Sequence, residues 1–241
     1  MERIFLRRRI GVLFCIVGIL TMLSAISVFF LEPAAQTSAQ EKPEPWLVID
    51  PGHGGEDGGE VAADGTPEAE LNLQISLRLH ALARLCGVQT AMTRQSEHIE
   101  YPTDAGTVAA RKTADQKQRV EMINGIPNAV LISVHQNWFP TSSPHGAQVL
   151  YADTPRSQAL GTLTHENLLR LLDPENRRVA APASNDIFLM RSVECSAILV
   201  ECGFLSNPQE LQNLKNPEYE LKLSMVLIGS FLQYDQTGWN Q

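Results

Sequence analysis

Val48-Ile49-Asp50-Pro51-Gly52-His53-Gly54-Gly55 is the stretch of sequence around which the rest of the chain is arranged. A short apolar run ends in Asp-Pro-Gly, and a histidine follows at once. Apolar runs of this length that stop at turn residues are typical of buried strands. We therefore predict a strand that ends in a sharp turn and presents His53 on the rim of a sheet. The flanking glycines would let the backbone approach closely whatever His53 binds.

Length and composition indicate one main domain and exclude some partners. The chain has 241 residues, of which 44% are hydrophobic, and the part after the N-terminal segment is long enough for one sizeable core. A formal net charge of -8 without a basic stripe argues against nucleic acid as a partner. Four cysteines are too few for a disulfide scaffold. Cys195 and Cys202 lie at opposite ends of a predicted strand, too far apart to pair.

The N-terminus predicts attachment to a membrane. Arginines between positions 3 and 9 precede an uncharged apolar run from Ile10 to Leu31. That run exceeds the core of a cleaved signal peptide and matches the roughly 20 residues of a spanning helix. Residues 1–31 are therefore predicted to be a cytoplasmic basic start and a signal anchor, with the rest across the membrane. Cleavage near residues 37–39, which would release a secreted protein, is the alternative, and residues 32–45 predict a flexible tether.

Hydrophobic periodicity predicts alternating strands and helices from residue 46 onwards. The predicted strands are 46–49, 88–93, 129–134, 147–151, 187–190 and 197–200. The predicted helices are 68–86, 109–124, 156–172, one that begins after an N-cap at Asn207, and 217–234. This alternation predicts an α/β fold with three layers, in which helices flank a mostly parallel sheet. The domain would span residues 46–235, with 236–241 as a tail.

Three of the predicted strands end at a residue that can bind a metal or carry a proton. His53 follows the first strand, His135 the third and Glu201 the last. Sites in open α/β sheets form outside the carboxyl ends of the strands. Two histidines and a carboxylate delivered there suit a catalytic zinc ion, which keeps one position open for water. A further ligand is expected from Glu68 or Glu70, which face about 200° apart on a helix, so that only one can point at the rim.

Each of these residues also has a structural interpretation. A histidine after a strand can be a hydrogen-bonding residue on the rim, and a glutamate at a helix start can interact with the helix dipole. Glu201 could pair with a buried arginine. Cys202 could compete as a zinc ligand, but neighbours on an extended segment point to opposite faces. His145, in a turn, is a weaker candidate ligand.

Several separated motifs show that the chain resembles the zinc-dependent N-acetylmuramoyl-L-alanine amidases of the Amidase_3 type. The resemblance covers about residues 46–235 and is specific, because the motifs occur in the family's order. The motifs are Ile-Asp-Pro-Gly-His-Gly-Gly at 49–55, Glu68 followed by Asn72-Leu73, Thr93-Arg94, Gln118-Arg119-Val120 with Asn124, Ser-Val-His-Gln-Asn at 133–137 and Val-Glu-Cys-Gly-Phe-Leu-Ser-Asn at 200–207.

The resemblance implies a function for four residues. By analogy with the family, His53, Glu68 and His135 bind one zinc ion and Glu201 is the catalytic carboxylate. The family's spacing to Leu73 favours Glu68 over Glu70. The substrate would be peptidoglycan, cleaved between the lactyl group of N-acetylmuramic acid and L-alanine.

Two residues depart from the family pattern. Gln136 stands where the family usually has alanine, and Cys202 where it often has leucine or valine. Neither removes a ligand, and both could reshape the substrate groove. Arg94 and Asn137 could contact substrate, but bracing of loops is the favoured interpretation.

The N-terminal anchor, the loop after Arg94 and the absence of wall-binding repeats resemble the sporulation and germination subgroup called CwlD. That resemblance implies formation of muramic-δ-lactam in spore cortex together with a partner deacetylase. A regulatory partner protein is also expected, because an unregulated amidase would endanger its own cell wall. Two rival functions remain: a non-catalytic wall-binding module and a zinc exopeptidase that acts on stem peptides.

Overall fold

The computed structural model describes residues 44–103 and 105–237. Strands and helices alternate along this part of the chain. The strands are β1 (Trp46–Pro51), β2 (Thr90–Met92), β3 (Ala129–Asn137), β4 (Gln148–Tyr151), β5 (Ala181–Pro182) and β6 (Ser196–Phe204). The helices are α1 (Glu68–Leu85), α2 (Val108–Asn124), α3 (Pro155–Leu171), α4 (Phe188–Ser192), α5 (Pro208–Leu214) and α6 (Pro217–Thr237).

The strands form one six-stranded sheet in the order β2-β1-β3-β6-β4-β5. β2, β1, β3 and β6 run parallel to their neighbours, as the strand–helix–strand pattern predicts. β4 runs antiparallel to β6, and the short β5 is parallel to β4. The sheet is therefore mixed, with a parallel half that holds the three strands predicted to carry the site.

Both faces of the sheet are buried, because alternate residues of each central strand pack into different hydrophobic clusters. Leu47, Ile132 and Ile198 pack against α1, α3 and α6 on one face. Val48 and Leu131 pack against α2 and α4 on the other face. We call these the α1 face and the α2 face. Helices thus cover both sides of the sheet, in agreement with the predicted α/β fold.

The predicted strand at 187–190 is wrong. These residues lead into the short helix α4, where the Arg191 amide donates to the Ile187 carbonyl. A short apolar run does not distinguish a strand from a buried helical turn. The sheet instead gains β5, which the polar composition of that loop did not indicate. In contrast, the N-cap predicted at Asn207 is confirmed, since its side chain accepts from the amides of Gln209 and Glu210.

The predicted anchor and tether lie almost entirely outside the described residues, as does most of the predicted tail. Within the described part of the chain, no helix combines the length and apolar character needed to cross a membrane. Cys195 and Cys202 are both unpaired thiols, as the strand length predicts.

Candidate active site

The site forms where β1, β3 and β6 end side by side at one edge of the sheet. His53 follows β1, and its φ of 60° lies in the left-handed region that few residues other than glycine adopt. His135 stands in β3 and is paired in register with Glu201 of β6. The three strand ends therefore bring together the residues that the sequence analysis selected.

His53, Glu68 and His135 form one group in which one potential ligand atom from each side chain lies within 4.8 Å of the other two. His53 Nε2 is 3.2 Å from Glu68 Oε2, and His135 Nδ1 is 3.0 Å from Glu68 Oε1. The two imidazole rings meet edge to face, with centroids 5.0 Å apart. Two imidazoles and one carboxylate are a ligand set that zinc prefers.

Glu68 is the buried centre of this group, with only 3% of its surface exposed. Its Oε1 accepts from the amide of Gln136 and from Asn72 Nδ2, and its Oε2 accepts from the amide of Glu60. Burial alone would raise the pKa of Glu68, but the hydrogen bonds and charges of the two histidines outweigh it and lower the pKa strongly. The carboxylate is therefore held ionised in one orientation.

Asp57 is a member of the site that the sequence analysis missed. Its Oδ2 lies 3.0 Å from His53 Nδ1 and 2.9 Å from Lys112 Nζ. A carboxylate on the far nitrogen of a metal-binding histidine fixes the ring and leaves the other nitrogen for the metal. Burial would lower the pKa of His53, but Asp57 and Glu68 raise it to about 9. The negative charge around His53 therefore favours a cation at this position.

Two buried arginines hold the turn that carries His53. Arg94 donates to the carbonyls of Pro51 and Gly52 at 3.0 and 2.9 Å. Arg119 donates to the carbonyls of Pro51 and His53 at 2.8 and 2.7 Å and forms an ion pair with Asp50 at 2.7 Å. Arg94 therefore braces the loop, which is the interpretation favoured from the sequence.

Glu201 lies beside the metal-binding group without belonging to it. Its Oε2 is buried and has no hydrogen-bond partner among the described residues. Burial, reinforced by the charge of Glu68, raises its pKa to about 6, against the opposing charges of His135, His53 and Arg178. A carboxyl group with a pKa in this range and an unpaired oxygen can accept and release a proton near neutral pH.

A cavity of about 350 Å³ opens onto these residues. Its polar side includes His53, His135 and Glu201, and its other wall includes Phe188 and Leu189 of α4. A molecule in this cavity would contact His53, His135 and Glu201 together.

Three alternatives considered from the sequence do not join the site. Glu70 is exposed, and His145 is exposed outside the metal-binding group. Cys202 is buried in the cluster on the α1 face, opposite the face of Glu201.

Gln136, the other residue that departs from the family pattern, is also buried and donates to Asn72 Oδ1 at 3.1 Å. Gln136 and Cys202 are therefore buried and do not line the cavity beside His53 and Glu201, and an effect of either residue on the substrate groove stays a prediction.

Comparison with known proteins gives the same family as the motifs. The Amidase_3 family model, described as N-acetylmuramoyl-L-alanine amidase, matches residues 47–227. The germination-specific N-acetylmuramoyl-L-alanine amidase of Bacillus subtilis is 31% identical over 208 residues, which cover 83% of this chain and 86% of the relative.

Two solved structures share the fold. The CwlD amidase from Clostridioides difficile, solved in complex with the GerS lipoprotein, has a TM-score of 0.77 and 30% identity, over 80% of this chain and 100% of that one. The amidase AmiC2 of Nostoc punctiforme has a TM-score of 0.68 and 26% identity, over 80% and 97%. With its motifs, its fold and its group of two histidines and a glutamate, the chain belongs to the N-acetylmuramoyl-L-alanine amidase family Amidase_3.

Proposed function

We propose that this chain hydrolyses the amide between the lactyl group of N-acetylmuramic acid and the L-alanine of the stem peptide, with zinc bound by His53, Glu68 and His135. The observation that carries the proposal is the convergence of those three ligands beside Glu201, whose buried Oε2 is unpaired in the described part of the chain. Family membership supports the substrate class.

The donor set fits a divalent cation. Two imidazole nitrogens face one ionised carboxylate, and Asp57 orients the first of the two rings. When bound, zinc supplies Lewis-acid chemistry, because it lowers the pKa of water and polarises a carbonyl oxygen. His53, Glu68 and His135 would hold the ion. The buried hydrogen bonds from Asn72 and the Gln136 amide fix the orientation of the Glu68 carboxylate.

Glu201 moves the proton. Its Oε2 accepts a proton from the attacking water and delivers it to the nitrogen of the leaving L-alanine, so that the amide C–N bond breaks with a neutral amine as product. The raised pKa, about 6, suits both transfers near neutral pH. The phenyl ring of Phe188 and the side chain of Leu189 line the apolar side of the cavity.

The proposal extends to the setting of the reaction. The germination-specific relative supports a role in spore cortex, and the features shared with the CwlD subgroup imply a part in the formation of muramic-δ-lactam. The complex of the Clostridioides difficile CwlD amidase with a lipoprotein supports a regulatory protein partner. The arginines and apolar run of residues 1–31 support an anchor that leaves the catalytic domain outside the cytoplasm.

Replacement of the proposed proton carrier tests the chemistry. Glu201→Gln keeps the shape of the side chain but cannot accept a proton. We expect kcat to fall by about 10²–10⁴-fold, the usual contribution of general acid–base catalysis, while zinc stoichiometry stays that of the wild type. The assays are release of stem peptide and metal analysis of the same sample. Near-normal activity of the variant would rule out this role for Glu201.

A further inference from the structure

The strand register places three polar side chains in one row across the sheet, and the proposed catalytic carboxylate is the middle one. His135 of β3, Glu201 of β6 and Gln148 of β4 are paired in register across three neighbouring strands. Leu131, Leu199 and Leu150, each an even number of residues away, pack on the α2 face. Side chains two residues apart share a face, so the row of three also lies on the α2 face. Gln148 is therefore about 5 Å beyond Glu201, measured between backbones.

Arg178 extends this row. Its Nη1 donates to Gln148 Oε1 at 3.1 Å and its Nε donates to the His145 carbonyl at 3.0 Å. Its guanidinium carbon lies 4.4 Å from the ring centroid of Phe204, a cation–π distance. These contacts fix the guanidinium at the end of β6, close enough to Glu201 for its charge to lower the pKa of that carboxyl group.

Arg178 has no carboxylate at ion-pair distance within the described chain. Arg178 forms no ion pair with any residue that the structure describes, and its Nη2 has no hydrogen bond there. Its neighbour Arg177, by contrast, is paired with Glu175 at 3.2 Å and is largely exposed. A half-buried guanidinium with only neutral partners can bind a carboxylate through its remaining N–H groups, because a carboxylate matches the guanidinium in geometry and charge.

We propose that Arg178 binds a carboxylate of the stem peptide and so selects anionic peptides as substrates. This inference rests on the proposed function. In that substrate the lactyl carboxyl group forms part of the scissile amide and carries no charge. The glycan therefore has no charged group near this bond, whereas the stem peptide carries free carboxylates. A fixed cation one strand beyond Glu201 therefore recognises the peptide rather than the sugar.

The test uses two substrates that differ only in charge. The full-length chain is assayed on muramoyl-linked stem peptides whose peptide carboxylates are either free or converted to carboxamides. The wild type should cleave the free acid with at least about tenfold higher kcat/KM, the size expected of one charge-assisted hydrogen bond. Arg178→Gln should remove this preference through a higher KM for the free acid alone. Arg177→Gln is the matched control and should keep the preference.

Further variants and outcomes separate recognition from structure. Arg178→Lys retains the charge without the planar fork and should give an intermediate preference, with thermal unfolding and zinc content unchanged. Equal loss of activity on both substrates, or no change, in Arg178→Gln would overturn the inference. Wild-type cleavage of both substrates at equal rates would overturn it too, while leaving the proposed function intact. Cleavage of both substrates at a bond within the peptide, rather than at the lactyl amide, would refute the proposed function and this inference with it.

Discussion

Asp50 links the apolar core to the turn that carries the first histidine. It is almost completely buried, and it accepts from Arg119 Nη1 at 2.7 Å, Thr93 Oγ1 at 2.6 Å and Ser133 Oγ at 2.6 Å. Burial alone would raise its pKa, but these partners lower the pKa to about 2. Asp50 is thus a structural anion, and its partner Arg119 in turn holds the carbonyl of His53.

Removal of this anion should destabilise the fold in a pH-dependent way. Asp50→Asn leaves Arg119 with only the half-buried Asp115, 2.9 Å from its Nε, as an ion-pair partner, and should cost about 3 kcal/mol at pH 7. The pKa in the folded state, about 2, is below the unfolded value, so the stabilisation is complete above about pH 5 and is lost as the pH falls towards 2. Urea unfolding at pH 7 and pH 3 should therefore show a smaller difference from the wild type at pH 3.

Asp64 provides the control for this effect. It pairs with Lys215 at 2.6 Å, but both side chains are exposed. Exposed ion pairs contribute little, so Asp64→Asn should leave the free energy of unfolding nearly unchanged. A difference between Asp50→Asn and the wild type that stayed constant from pH 7 to pH 3 would contradict the assignment of Asp50 as a stabilising anion.

At the residue scale, the sequence predicted which of the candidate residues that follow strands would meet at one edge of the sheet. His53, His135 and Glu201 could be predicted because the carboxyl ends of adjacent parallel strands share one edge of the sheet. Residues alone did not separate Glu68 from Glu70, since only burial in the folded state decides which one points inward. Asp57 and Arg178 lie in loops, where no periodic pattern indicates the direction of a side chain. A weak signal for Asp57 existed in its spacing of four residues from His53.

At the scale of elements, the glycine-rich loop after β1 packs directly against the proposed zinc ligands. A Cβ atom built on Gly52 would lie 2.3 Å from the His135 ring. At Gly59, where φ is 70°, a Cβ atom would lie 2.6 Å from Glu68 Oε2. The glycines therefore allow the loop to pack closely against His135 and Glu68, while a close approach of the backbone to a group bound by His53 stays a prediction.

Alanine at Gly52 should disturb the metal site without unfolding the sheet. Gly52→Ala must displace the His135 ring, so we expect zinc affinity to fall about 10–100-fold, the range seen when the support of a ligand is lost. Competition with a chromophoric chelator measures that affinity. Gly106→Ala is the control, because no atom lies within 4 Å of its Cβ position. Equal zinc affinities for Gly52→Ala and the wild type would contradict the close packing described for this loop.

Helices and long strands were easier to predict than short elements. α1, α2 and α3 begin and end within about two residues of the predicted bounds, because caps and apolar periodicity agree there. The segment at 187–190 was predicted as a strand but forms a helical turn, since four apolar residues have no distinguishing period. β5 has only two residues and is ordered by its pairing with β4, a contact that no local pattern reveals.

At the scale of the whole molecule, the order of strands could not be read from the chain alone. The pattern predicted parallel pairing where helices connect strands, and β1, β2, β3 and β6 follow it. β4 follows β3 directly without a helix, and it lies on the far side of β6 in the opposite direction. This reversal brings Gln148 beside Glu201 and extends the site toward Arg178.

Mass spectrometry of the products tests the central claim most directly. The full-length chain is incubated with peptidoglycan, once with added zinc and once with a chelator. We predict free stem peptides that begin with L-alanine, together with glycan that has lost its peptides, only when zinc is present. Products shortened within the peptide would instead indicate a peptidase. Release of free stem peptides to the same extent in the chelator sample would contradict the claim that a metal bound by His53, Glu68 and His135 is required for the reaction.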